Sequence, residues 1–221
     1  MAEILPDGTF QNYGAFCPIC KKEIEVNFQG KEIGKHICKP KYDIIIAIDP
    51  DVEKSGVAFL EVATRKLDVS SLTFPQLLDY LQWAKSKTVY SETTFMAEGM
   101  TKPVAKIQEG KKTIIVVEAG WLNRSNWHLK SSDTKRIASA KGNSTGRNHE
   151  TGRKIVEMAK HYGFEVHEQI PLRKCWKGKD GKITHEELAS FTGLMGKTNQ
   201  DARDAALLAW TFANLPIRFK C

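Results

Sequence analysis

Two short apolar runs constrain the fold of this chain more than any other feature. They are YDIIIAIDP, residues 42–50, and KTIIVVEAG, residues 112–120, and both are continuous and rich in Ile or Val. Runs of this length and composition are typical of strands buried on both faces, as at the centre of a sheet covered by helices. The sequence therefore predicts an α/β domain built around these two strands.

The elements around these runs predict how the sheet is completed. Strands are expected at 55–64 and 66–72, and the short polar turns beside them suit antiparallel pairing in a three-stranded meander. Further elements are a helix at 73–85, a short helix at 153–163, a strand at 164–171, and helices at 184–194 and 199–214. This order predicts a mixed five-stranded sheet flanked by helices. Residues 86–112 show no firm periodicity and form an insertion whose structure is not predicted.

Four acidic residues occupy positions where they can meet. Asp49 and Glu118 end the two buried runs, so they would share one edge of the sheet, roughly 4.8 Å apart, if the strands are parallel neighbours. Asp201 and Asp204 share one face of the last helix, NQDARDAALLAW. Such a cluster repels itself unless a cation is bound, and carboxylate oxygens suit Mg²⁺ or Mn²⁺. The cluster therefore predicts two ions roughly 3.5–4 Å apart, an arrangement that hydrolyses phosphodiesters.

Each acid taken singly also has an ordinary structural interpretation. Asp49 precedes Pro50 and could begin a turn, Glu118 could be a solvated strand end, and Asp201 could be an acid favoured by the helix dipole. Asp204 is the strongest member, because it lies in an alanine-rich run where an uncompensated carboxylate would be costly to bury. The joint pattern favours the metal site over these separate interpretations.

Charge and composition narrow the class of partner. The chain has 33 Lys and Arg residues against 26 Asp and Glu residues, a net charge of +7 that favours polyanions such as nucleic acid. The N-terminal residues lack the pattern of a secretory signal, and the longest apolar runs are too short to span a membrane. We therefore expect an intracellular, cytoplasmic protein whose five cysteines are thiols or metal ligands.

The N-terminal segment FCPICKKEIEVNFQGKEIGKHICK predicts a separate zinc-binding module. Its candidate ligands are Cys17, Cys20, His36 and Cys38, and four N and S ligands suit tetrahedral Zn²⁺. The alternative is a set of unligated thiols, since the second pair is HxC and not CxxC. The predicted domains are residues 1–40, the zinc module, and residues 41–221, the α/β domain. Whether the module serves DNA binding or dimerisation stays open.

The motifs around the four acids resemble those of a known family. IIIAIDPD, IIVVEAGW and DARDAALLAW are similar, in this order, to the motifs of the RuvC-like Holliday junction resolvases of the ribonuclease H-like fold. The resemblance spans roughly residues 42–214. It implies that Asp49, Glu118, Asp201 and Asp204 hold two catalytic Mg²⁺ ions. It also implies a homodimeric endodeoxyribonuclease that cuts four-way DNA junctions and leaves a 5′-phosphate and a 3′-hydroxyl.

The resemblance also suggests residues that contact DNA. Trp121 falls where the family places an aromatic side chain that stacks at the exchange point of the junction, although core packing is an equal alternative for it. GRNHETGRKIVEMAKHYGFEV resembles a helix and strand of the family, which makes Arg147, Arg153 and Lys154 candidate backbone contacts. Lys182, in the basic turn that follows, is another. The alternative for these basic residues is plain solvation.

Three departures from the family concern the substrate more than the reaction. Asp51 stands where the family has Gly, residues 86–112 have no obvious counterpart, and the cysteine-rich N-terminus lies outside the common pattern. The favoured hypothesis is a metal-dependent, structure-selective DNA endonuclease. One alternative is a ribonuclease or exonuclease of the same fold, although ribonucleases H carry their Glu on a helix and Glu118 ends a strand. The other is a non-catalytic, zinc-containing nucleic-acid-binding protein.

Overall fold

The computed structural model describes residues 15–16, 23–24, 41–85, 111–123 and 132–217. Ala15–Phe16 (β1) and Glu23–Ile24 (β2) pair as a small antiparallel sheet. The four predicted zinc ligands lie outside the described residues, as do residues 86–110 of the insertion. The zinc module and the domain boundary near residue 40 therefore stay predictions.

The main sheet has five strands in the order β5-β4-β3-β6-β7. The strands are Ile44–Asp49 (β3), Ser55–Glu61 (β4), Lys66–Leu72 (β5), Thr113–Glu118 (β6) and Glu165–Gln169 (β7). The first three form an antiparallel meander, whereas β6 runs parallel to both β3 and β7. The predicted mixed five-stranded sheet is confirmed. The two apolar runs pair in parallel, which is the condition under which Asp49 and Glu118 share one edge.

Helices cover both faces of this sheet. They are Phe74–Lys85 (α1), Lys135–His161 (α2), His185–Thr192 (α3) and Gln200–Phe212 (α4). Alternate residues of β3 enter different cores, because Ile44, Ile46 and Ile48 pack with α1 and α2 while Ile45 and Ala47 pack with α4. Burial on both faces explains why the β3 run is continuously apolar. None of the described helices is both long enough and apolar enough to cross a membrane.

The helix α2 is much longer than the sequence predicts. It begins at Lys135 and not at residue 153. The Thr134 hydroxyl caps this start by accepting a hydrogen bond from the Ile137 N–H at 3.4 Å. Its buried residues all lie in the second half: Gly152, Ile155, Val156 and Ala159. The first half carries no apolar stripe, so the periodicity on which the prediction rested is absent there.

Packing and capping fix α4 against the sheet. The Asn199 side chain accepts a hydrogen bond from the Ala202 N–H at 3.0 Å and begins the helix, as the sequence predicts. The backbone of Asp201 lies so close to Gly56 on β4 that a methyl group at position 56 would overlap it. Glycine at this position therefore sets how near the acid-bearing turn of α4 comes to the strand edge.

Candidate active site

The two central strands bring Asp49 and Glu118 to the same edge of the sheet. The last paired residues of β3 and β6 are Ile48 and Val117, and the two acids follow directly. The helix α4 crosses the same edge with Asp201 and Asp204 in its first two turns. All four predicted acids line one cleft of about 840 Å³. Ligands of open α/β sheets collect at this edge, beyond the carboxyl ends of the parallel strands.

The acids raise each other's proton affinity. Burial, followed by the charges of Glu118 and Asp204, raises the pKa of Asp49 well above its usual value. Burial and the charge of Asp204 raise the pKa of Glu118 to about 7. Burial is also the main cause of the raised pKa of Asp201. The cleft therefore concentrates negative charge that the surrounding protein only partly compensates.

The partial compensation comes chiefly from Lys182. Its Nζ donates to Asp204 Oδ2 at 2.8 Å, and the two side chains are only 33% and 16% exposed. Burial alone would lower the pKa of Lys182, but the hydrogen bond to Asp204 and the charges of Asp204, Asp49 and Asp201 raise it. Lys182, predicted to contact DNA, thus lies among the four acids.

The four acids are of the chemical type that binds divalent cations, but they are not arranged as a metal site in this structure. Carboxylate oxygens are the hard donors that Mg²⁺ and Mn²⁺ prefer, and four carboxylates lie here around the ammonium group of Lys182. Within the described ranges, however, no three His, Cys, Asp or Glu side chains are arranged closely enough to hold an ion. Asp204 instead pairs with Lys182. The four acids and Lys182 therefore form one charge cluster in the cleft.

Trp121 lines the cleft beside the acids but is held by several neighbours. Its Nε1 donates to Glu168 Oε2 at 3.1 Å, and the Arg153 guanidinium lies 5.7 Å from the ring centroid. A methyl group at Gly152 would overlap the indole ring, and the His149 ring meets it edge-on at 6.3 Å. Trp121 is half-buried, so both core packing and contact with a ligand in the cleft fit its position.

The other predicted DNA contacts lie on α2. Arg153 is exposed and packs on Trp121 at the edge of the cleft. Lys154 is exposed and donates to Glu157 at 2.8 Å, one turn away. Arg147 is exposed two turns before Lys154, which places the two basic residues on the same side of the helix. Among the described residues that line the cleft, neither Arg147 nor Lys154 is found.

Several cleft residues were missed by the sequence analysis. The helix α2 lines the cleft through Lys141, Ser144, Thr145, Asn148 and His149, and Arg173 and Lys174, from the segment after β7, line it as well. Every position from 141 to 149 is polar or glycine, so the sequence carries no periodicity that could have marked these residues as one face of a helix.

Asp51, the residue that departs from the family pattern, also faces the cleft. Its Oδ2 accepts a hydrogen bond from Asn148 Nδ2 at 3.4 Å, and its Oδ1 accepts one from the Glu53 N–H at 2.9 Å. The charge of Asp51 contributes, after burial, to the raised pKa of Asp201. Asp51 therefore joins the turn after β3 to the wall formed by α2 and adds a fifth acid to the field of the cleft.

Comparison with known proteins yields distant structural similarities. No protein-family model matches this chain, and no curated protein does either. One similar structure is RuvC of Thermus thermophilus in complex with a Holliday junction substrate, with a TM-score of 0.40 at 12% identity over 77% of this chain and 92% of the other. Another structure of Thermus thermophilus RuvC has a TM-score of 0.38 at 14% identity over 77% and 93% of the two chains. Both TM-scores are below 0.5, so the fold assignment rests on the sheet order and register described above.

Proposed function

We propose that this protein is a metal-dependent, structure-selective DNA endonuclease that resolves four-way junctions. The observation that carries the proposal is the convergence of Asp49, Glu118, Asp201 and Asp204 at one sheet edge. These are the acids at which the sequence resembles the RuvC-like resolvases of the ribonuclease H-like fold. Two bound Mg²⁺ or Mn²⁺ ions would activate a water molecule and stabilise the leaving oxygen in phosphodiester hydrolysis.

The charges of the cleft support a polyanionic substrate. Lys141, Arg173 and Lys174 line the cleft, and the charge of Lys174 partly opposes the rise in the pKa of Glu118. A phosphodiester in the cleft would meet these basic groups as well as the acids. The contact would be extended along α2 by Arg147, Arg153 and Lys154, and beside α2 by Trp121. Lys182 holds a positive charge next to the acids, where a scissile phosphate would lie.

A four-way junction must be cut at two symmetric positions, which requires two active sites. We therefore propose a homodimer. The zinc module of residues 1–40 would add to DNA affinity or to dimer stability. Its lysines, which would contact phosphates, are Lys21, Lys22, Lys31, Lys35 and Lys39.

One cleavage assay tests the proposal against its alternatives. The intact protein is incubated with a four-way junction, a fork, a duplex, a single strand and an RNA–DNA hybrid, each with Mg²⁺ and with EDTA. We expect cleavage of the four-way junction that EDTA abolishes. Preference for the hybrid would identify a ribonuclease, degradation from ends an exonuclease, and binding without cleavage a non-catalytic protein, and any of these results would refute the proposal.

Substitution of the acids then tests the site. Asp49→Asn, Glu118→Gln or Asp204→Asn should abolish cleavage and leave junction binding unchanged or tighter, because each removes a metal ligand and a negative charge near the phosphates. The matched control is Asp43→Asn, because Asp43 directly precedes Ile44, the first residue of β3, at the other end of the strand from Asp49. This variant should cut normally. Cleavage retained by any of the three variants in Mg²⁺ would remove that residue from the site.

A further inference from the structure

Asp204 has a hydrogen-bond donor on each of its two oxygens. Gln200 Nε2 donates to Oδ1 at 2.7 Å, and Lys182 Nζ donates to Oδ2 at 2.8 Å. Gln200 lies one turn before Asp204 on α4, whereas Lys182 approaches from the loop that precedes α3. The carboxylate plane is therefore fixed from two directions, by one residue of its own helix and one residue of another segment.

Arg203 determines which way the Gln200 amide faces. Its Nη2 donates to Gln200 Oε1 at 2.8 Å. A guanidinium group can only donate, and a carboxylate paired with lysine can only accept. The amide between them can satisfy both neighbours in just one orientation, with its oxygen towards Arg203 and its nitrogen towards Asp204. The assignment of the two amide atoms thus follows from the chemistry of the neighbours.

Arg203 is itself anchored to backbone. Its Nε donates to the Ile183 carbonyl at 3.2 Å, and its Nη1 donates to the Thr198 carbonyl at 2.6 Å. Ile183 directly follows Lys182, so the contacts close into a ring that runs from Asp204 through Gln200, Arg203 and the Ile183 backbone to Lys182 and back. This ring ties the acid-bearing turn of α4 to the lysine-bearing loop.

We propose that Gln200 and Arg203 are positioning residues that fix the orientation of the Asp204 carboxylate and thereby influence its affinity for a divalent cation. The inference rests on the proposed function, because it takes Asp204 to be a metal ligand. Asp204 lines the same cleft as Asp49 and Glu118, so a rotation of its carboxylate changes which oxygen it presents beside these acids. Hydrogen-bonded partners behind metal-ligating carboxylates commonly influence metal affinity about 10- to 100-fold.

A purely structural role for this ring would have a different consequence. In that case, loss of the Gln200 amide would lower the stability of the protein and leave metal affinity unchanged in the folded molecules. Gln76→Met provides the matched control, because it removes a glutamine amide that makes a hydrogen bond elsewhere in the protein. The Gln76 side chain accepts from the Thr73 N–H at 3.0 Å. Gln76 lies on α1, on the opposite face of the sheet from α4.

The experiment is calorimetric titration of the intact chain with Mn²⁺, with thermal unfolding of each variant measured without metal. The binding of interest is the part that Asp49→Asn removes, which separates this centre from any metal bound by the cysteine-rich segment. Gln200→Met and Arg203→Met should each weaken that binding about 10- to 100-fold. Arg203→Lys keeps a donor for the Gln200 oxygen and should retain most of the wild-type affinity, and Gln76→Met should retain all of it.

The outcomes separate the two proposals. If the wild type binds Mn²⁺ at this centre and Gln200→Met binds it equally well, the positioning role is overturned while the proposed metal centre stands. The same conclusion follows if Gln76→Met weakens binding as much as Gln200→Met does. If the wild type shows no Mn²⁺ binding that Asp49→Asn removes, the proposed metal centre fails, and the positioning role fails with it.

Discussion

Glu118→Gln should stabilise the metal-free protein at alkaline pH and leave it unchanged at acidic pH. Burial and the charge of Asp204 raise the pKa of Glu118 in the folded state to about 7, above its ordinary value of 4.5. The carboxylate is thus less favourable in the folded protein than in the unfolded chain. This penalty is absent well below pH 4.5, grows as the pH rises, and is complete above about pH 7. Glutamine resembles the protonated acid in shape and never incurs it.

The size of the effect follows from the difference in pKa. At roughly 1.4 kcal/mol per pKa unit, the rise from 4.5 to about 7 corresponds to about 3 kcal/mol at about pH 8. At about pH 5 only about a quarter of the penalty has developed. The gain in unfolding free energy from Glu118→Gln should therefore increase by about 2–3 kcal/mol between these two pH values, which is a large fraction of the stability of an ordinary domain.

Urea denaturation of wild type and variant in EDTA, at about pH 5 and about pH 8, measures this difference directly. Glu157→Gln is the control, because Glu157 is exposed on α2 and its hydrogen bond with Lys154 lowers its pKa. It should show no stabilisation at the higher pH. Added Mg²⁺ should stabilise the wild type at about pH 8 and should stabilise Glu118→Gln less. A Glu118→Gln protein that is destabilised equally at both pH values would refute the account of the cluster as a site of uncompensated charge.

Two further predictions concern Trp121 and the zinc module. Gly152→Ala should lower the unfolding free energy by about 1–3 kcal/mol, because the added methyl group overlaps the indole ring of Trp121. In the Trp121→Ala background the cost should be smaller, since the indole is gone and the contact with Pro50 Cγ at 3.2 Å remains; equal costs in both backgrounds would contradict the packing. Trp121→Ala alone should reduce junction cleavage by more than the loss of folded protein explains, base stacking being worth roughly 1–3 kcal/mol, whereas normal activity per folded molecule would favour core packing. Cys17→Ser should release close to one equivalent of zinc while basal cleavage persists, and elemental analysis that finds no zinc in the wild type would end this prediction.

The parts of the fold that could be predicted are those in which local sequence and tertiary environment agree. The Ile run of β3 is buried on both faces, and its unbroken apolar pattern indicates this burial directly. Thr184 and Glu187 form a capping box at the start of the helix predicted at 184–194, with hydrogen bonds at 3.2 and 3.1 Å. In both cases the residues that carry the signal are neighbours along the chain, so a short window contains the whole cause.

The missed features depend on contacts between distant segments. The first half of α2 has no buried stripe, so periodicity could not reveal it. Lys182 looks like any other lysine in a basic turn, and only the folded chain places it 2.8 Å from Asp204. The ring through Gln200 and Arg203 likewise depends on the Ile183 backbone, which lies outside the α4 sequence. The acids could be identified from their joint pattern, whereas their partial compensation by Lys182 could not.

The wide spacing of the cluster along the chain affects when the site can form. Asp49 and Glu118 are synthesised first, Lys182 follows, and Asp204 comes last, on a helix that packs across β3, β4 and β5. A nascent chain that has emerged only as far as β6 therefore carries two unopposed acids at a sheet edge with no helix across it. Pairing between such distant segments is slow compared with local folding. The cleft consequently exists only after α4 has docked, and ribosome-bound or truncated chains that lack α4 are without it.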